Sequence, residues 1–184
     1  MVRPREFDED AVLEGVMRTF WQHGYSNTSI EHLVTATGLN RSSLYGSFGR
    51  KPELYRKALE RYSALQVEQT VLQHGPRVAL ERWFADAVEG SDDSPRGCLV
   101  VNSLGEYPDL APELQALVDT HLSAVRQFFA TMVGMLVSPS EVAATTDILF
   151  GANVAVFTLA RTNAPRSQLH AIANAALDRL PAAP

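Results

Sequence analysis

The 184-residue chain has a single cysteine, Cys98, and one thiol can build neither an internal disulfide framework nor a multi-cysteine metal site. Lysine is nearly as scarce, with only Lys51 and Lys57. No stretch alternates polar and apolar residues at period two, so sheet is not expected. The longest apolar run, 148–160, contains Asn153 and Thr158 and falls short of the roughly 18 residues of a membrane span. Residues 1–10 are densely charged where a secretory signal would be apolar. None of the five histidines pairs with another His or Cys at helical i, i+4 spacing, and Asp119 and His121 point to different helix faces, so no metal site is expected. The nucleotide-binding glycine motifs and G-x-S-x-G are missing, and no nucleophile has an evident base. These absences predict a cytoplasmic protein with no cofactor, no membrane partner and no catalytic residues.

What is present is a folding sequence. Its apolar content of 46% supports a packed core. The net charge of -5 divides unevenly: residues 1–62 carry nine Lys or Arg against eight Asp or Glu, whereas residues 63–184 carry seven against thirteen. A polyanion would therefore meet the first part of the chain.

Every clear period is helical. Leu13, Val16, Met17, Phe20 and Trp21 fall on one face of a first helix, preceded by acids that suit its positive end. Thr28 and Glu31 have the spacing of a capping box for a second helix, with Ile30, Leu33 and Val34 inward and Gly38 at its end. Asn40 is placed to cap a third helix, and Leu39 to staple onto Leu44. Two short helices across a tight glycine turn make a helix-turn-helix. Pro52 opens a fourth helix running to about residue 74, and residues 77–88, 98–105, 112–136, 139–161 and 166–180 supply the rest, with a loop over 90–97. The expectation is an all-α protein of about nine helices.

The run Gly24-Tyr25, Thr28-Ser29-Ile30, Ala36 to Tyr45, then Phe48 to Leu54 resembles the N-terminal domain of TetR-family repressors, without gaps from about residue 11 to 59. The resemblance implies a helix-turn-helix DNA-binding domain at 1–50 and a helical effector-binding and dimerisation domain at 51–184. It also implies a homodimer that binds a palindromic double-stranded operator and is released by a small-molecule inducer. Positions matching Thr28, Tyr45 and Lys51 would touch the phosphate backbone, and those matching Asn40, Arg41, Ser42 and Ser43 would lie near the bases. The side chains agree: Leu44 and Phe48 share an inward face, which leaves Arg41, Ser42 and Tyr45 outward, and an arginine there can grip guanine O6 and N7. Gly46 and Ser47 stand where many relatives carry bulky side chains. Specificity then leans on Arg41 and on DNA shape.

The second half is less explicit. Ile148, Gly151, Ala152, Ala155 and Leu159 mix small with large residues, and Leu169, Ile172 and Ala176 form an apolar stripe. Both suit the dimer face that the resemblance implies, or an internal core. Trp83, Phe128 and Phe150 are candidates to line a ligand pocket, and Asn102 and Glu106 to point into one. Cys98 has two readings. Beside Leu99, Val100 and Val101 it reads as a buried small apolar residue. Yet Arg96-Gly97-Cys98-Leu99, with Asn102, resembles a segment of TetR-type regulators that respond to electrophiles, and a helix N-terminus would favour its thiolate. A helical small-molecule-binding protein or enzyme with a purely structural helix-turn-helix is the alternative from another class.

Overall fold

Asp8 starts the first helix, its carboxylate accepting from the amides of Asp10 at 2.9 Å and Ala11 at 3.4 Å, where helix-end N–H groups have no other partner. The computed structural model describes residues 7–67, 75–90 and 97–181. Most of the loop expected over 90–97, with Arg96, and the end of the helix expected to reach 74 lie outside them. Helix α1, Glu9–His23, buries Val12, Val16, Met17 and Phe20. Then come α2, Ile30–Thr37, α3, Arg41–Phe48, and α4, Lys51–Val67. The second half holds α5, Pro76–Glu89, α6, Leu99–Ser103, a 3-10 turn over Leu104–Asp109, α7, Pro112–Gly134, α8, Val142–Arg161, and α9, Arg166–Leu177. Among the described residues there are nine α-helices and no strand, in line with the all-α expectation.

The cap of α2 differs from the expected Thr28–Glu31 pair. Ser29 Oγ accepts from the His32 amide at 3.2 Å, and His32 Nδ1 accepts from the Ser29 amide at 3.3 Å. Thr28 is buried, and its hydroxyl donates to the Gly24 carbonyl four residues back. The cap therefore passes one residue along, and the imidazole of His32 does the work expected of Glu31. Asn40 caps α3 as the spacing predicts, with Oδ1 2.9 Å from the Ser43 amide.

Two apolar clusters hold the helices. The first joins Phe20, Leu33, Leu44 and Phe48 to Leu54, Tyr55 and Leu59 of α4, to Cys98–Val101, and to Leu114 and Val118 of α7. This packing runs straight across the boundary expected at residue 50, because α4 turns its inner face to α1. The second joins α5, α7, α8 and α9 through Leu80, Phe84, Phe129, Leu149, Val156 and Leu169. Each fully buried large side chain contributes about 1.5–3 kcal/mol relative to exposure.

His121 lies at the α4–α7 contact, 8% exposed, with Nδ1 2.9 Å from Ser63 Oγ. Burial pushes its pKa below the ordinary histidine value of 6.5. The unfolded chain then binds the proton more readily than the folded one, so its contribution to stability is complete above pH 6.5 and is lost as pH falls through the depressed folded value. We expect the urea midpoint to drop between pH 7 and pH 5.5, and His121→Gln, which can still bond Ser63, to flatten that dependence.

Candidate nucleic-acid interface

Helix α3 has two unlike faces. Leu44 is fully buried and Phe48 nearly so, which fixes the roll of the helix. Arg41 and Ser42 are exposed, while Ser43 and Tyr45 are half-buried. The Arg41 guanidinium carbon lies 5.6 Å from the centroid of the Tyr45 ring one turn on. That contact limits the freedom of the arginine while its donors stay in solvent. Gly46 is exposed with open space above it, so α3 offers little beyond this one turn.

Lys51 opens α4 beside the same surface. Its ammonium donates to the Ser26 carbonyl at 3.2 Å and sits 4.8 Å from the Tyr25 ring centroid. Partial burial lowers its pKa, against the pull of the Glu106 carboxylate. The charge lies at the junction of the α1–α2 turn and α4. Of the residues expected at the interface, Asn40, Arg41 and Ser42 are exposed at the start of α3, and Ser43, Tyr45 and Lys51 are half-buried. Thr28 is buried, with its hydroxyl turned inward.

The residues expected to meet a ligand all lie in or beyond α5. Glu106 Oε2 accepts from the Tyr25 amide at 2.7 Å and Oε1 from the Ser26 amide at 2.9 Å, so this carboxylate joins the two halves of the chain. Asn102 packs over Gly97. Cys98 is buried, and burial raises its pKa, which disfavours the thiolate that a sensor would need. Trp83 packs against Phe128 with tilted rings, centroids 5.0 Å apart, and donates to Asn153 Oδ1 at 2.8 Å, and Phe150 packs against the same cluster. An open groove of about 200 Å³ between α5 and α9, lined by Arg77, Glu81, Phe84, His170 and Asn174, includes none of them. It is smaller than the 300–1,000 Å³ usual for small-molecule sites. Among the described residues no group of three or more His, Cys, Asp or Glu is placed to hold a metal ion.

The expected dimer residues divide. Ile148 is 42% exposed, Gly151 is exposed, and Ala152, Ala155, Leu159 and Ile172 are half-buried. Leu169 and Ala176 are instead buried within the chain, where α9 packs on α5 and α8. By length and composition α8 is apolar enough to cross a membrane, yet Leu149, Asn153 and Val156 are buried on one side of it.

Three ties between the halves were not legible in the sequence. Besides Glu106, Trp21 Nε1 donates to the Gly97 carbonyl at 3.1 Å, and Arg161 donates to the Trp21 carbonyl at 2.9 Å and to that of Gln22 at 3.4 Å. Each joins a side chain to a distant backbone group, which no local spacing announces.

The family profile of bacterial regulatory proteins, tetR family, matches residues 12–58, which hold most of α1, all of α2 and α3, and the first half of α4. The transcriptional repressor ComR of Escherichia coli K12 is 37% identical over 112 residues, which are 55% of this chain and 51% of that protein. The uncharacterised transcriptional regulator YezE of Bacillus subtilis 168 is 31% identical over 120 residues, 62% of each. The chain thus spans between half and two thirds of the length of these curated relatives. A cysteine mutant of the TetR family regulator CifR, solved with a 26-base-pair double-strand operator DNA, superposes with a TM-score of 0.83 at 26% identity, covering 97% of this chain and all of the other. Residues 12–58 thus match the tetR family of bacterial regulatory proteins, and the chain as a whole shares its fold with solved TetR family regulators.

Proposed function

We propose that this protein is a transcription repressor that binds a two-fold symmetric operator as a homodimer and is released by a small-molecule inducer. One observation carries the reading: α3 buries Leu44 and Phe48 while holding Arg41 outward against Tyr45, with Lys51 beside it. A helix fixed in this way can lie in the major groove, where Arg41 meets guanine and Lys51 a phosphate. Asn40, Ser42, Ser43 and Tyr45 complete the contact set. The superposition on CifR, solved with operator DNA, supports the overall arrangement as one compatible with binding. ComR, a repressor by name, supports the direction of control.

The proposed partner on α8 is a second copy of the chain. Ile148 and Gly151 are exposed on this helix and Ala155 is half-buried, and a homodimer would bring two α3 helices to two half-sites. The inducer is proposed to act in the second half by favouring a different spacing of those helices. Burial of Cys98 supports an inducer that binds without forming a bond to sulfur.

Selection from random duplexes tests the reading. The wild type should enrich a palindrome, and enrichment of no sequence would overturn it. Arg41→Ala should relax preference at one symmetric pair of positions by roughly 1–3 kcal/mol each. Lys51→Ala should weaken all sequences alike and flatten the dependence on salt.

A further inference from the structure

We infer that Glu106 is the positioning residue through which the second half of the chain holds the helix-turn-helix in its DNA-reading orientation, an inference that rests on the function proposed above. The carboxylate reaches back 80 residues to two successive backbone amides, those of Tyr25 and Ser26, at 2.7 and 2.9 Å. These amides belong to the turn that leads from α1 into α2. Charged acceptors on backbone N–H groups make the shorter and stronger class of protein hydrogen bond. The approach is close: a Cβ on Gly24 would stand 3.0 Å from Glu106 Oε2.

The turn is stiff on its far side. Thr28 donates to Gly24 through its hydroxyl and to the Tyr25 carbonyl through its amide at 3.3 Å. Ser29, the next residue, caps α2. From Glu106 to the start of α2 the path is therefore a chain of hydrogen-bonded backbone. Lys51 grips the same turn from the other side at the Ser26 carbonyl, so a displaced turn also displaces the cation proposed to meet phosphate.

Trp21 and Arg161 act differently. They hold carbonyls or a side chain at the C-terminal end of α1, and α1 is anchored by its own buried stripe in any case. Only Glu106, among these three ties, engages the segment entering α2. It stands in the 3-10 turn that directly continues α6. A shift of α6 by an ångström would stretch both bonds past the roughly 3.2 Å at which N–H to oxygen bonds weaken.

The test uses a duplex enriched by the wild type and a scrambled duplex of equal length. Glu106→Gln keeps the size of the side chain and one acceptor but turns an NH₂ group toward one of the two amides. Affinity for the enriched duplex should fall about tenfold, as expected for weakened charge-assisted bonds in both protomers. Affinity for the scrambled duplex should stay level or rise, because a negative charge has gone. An unchanged ratio of the two affinities would overturn the positioning role, and so would an equal fall in both, which marks a residue that merely supports folding. Should the variant not fold, amide exchange in the wild type decides: Tyr25 and Ser26 must exchange as slowly as the amides of α6, and free-turn rates would overturn the role. A wild type that enriches no duplex removes the DNA reading and the positioning role together. One that enriches a duplex while Glu106→Gln keeps full preference removes the positioning role alone.

Discussion

Gly97→Ala is expected to cost about 3 kcal/mol and to lower the melting temperature by roughly 10 °C. Gly97 has φ +82°, a region in which L side chains are strained. An alanine Cβ would also stand 2.8 Å from the Phe157 carbonyl oxygen and 2.9 Å from Asn102 Oδ1. The first of these belongs to the backbone of α8 and cannot swing aside. Moving the Gly97 segment away would in turn pull on the Trp21 indole, which donates to the Gly97 carbonyl. Strain at this point therefore reaches α1, α6 and α8 together. Thermal melts followed by circular dichroism check it, and a melt unchanged from wild type would show that α8 yields where the packing says it does not.

Ile148→Glu should convert the protein to a monomer in sedimentation and weaken operator binding about a hundredfold, because one recognition helix would be left to act alone. Ile148 is 42% exposed, and Gly151 and Ala155 continue the same face of α8. The adjoining face, through Leu149 and Val156, is already buried in the chain's own core. In a two-fold dimer, a glutamate at this position would be buried opposite its own copy. The fold itself should survive, since Ile148 contributes little to the core. A monomeric wild type would contradict the dimer proposal directly.

The sequence was most informative where interactions are local. The period of Val16 and Phe20, the cap at Asn40, and the inward pair Leu44 and Phe48 are all set by residues within two turns of one another, and all are found in the structure. The cap of α2 falls at Ser29, one residue beyond the Thr28 that the spacing predicts. Thr28 and Ser29 both carry a hydroxyl, and only the tertiary burial of Thr28 decides between them. Glu106 and Asn102 show the wider limit. Two polar residues on an otherwise apolar segment suggested a ligand, but their surroundings come from residues about 80 positions away or from Gly97 beneath them. Leu169 and Ala176 illustrate the same point for the dimer face. An apolar stripe on a helix says that something covers it, and the packing of α9 on α5 and α8 says that the cover is this chain.

Arg41 is proposed to read a base in the major groove from a helix held by Leu44 and Phe48. Replacing guanines of the enriched operator one at a time with 7-deazaguanine removes a single acceptor, N7, and leaves pairing intact. Wild-type affinity should fall about tenfold at one symmetric pair of guanines, while Arg41→Ala, already lacking the donor, should be indifferent to the same replacement. Equal sensitivity in wild type and Arg41→Ala at every guanine would contradict the account.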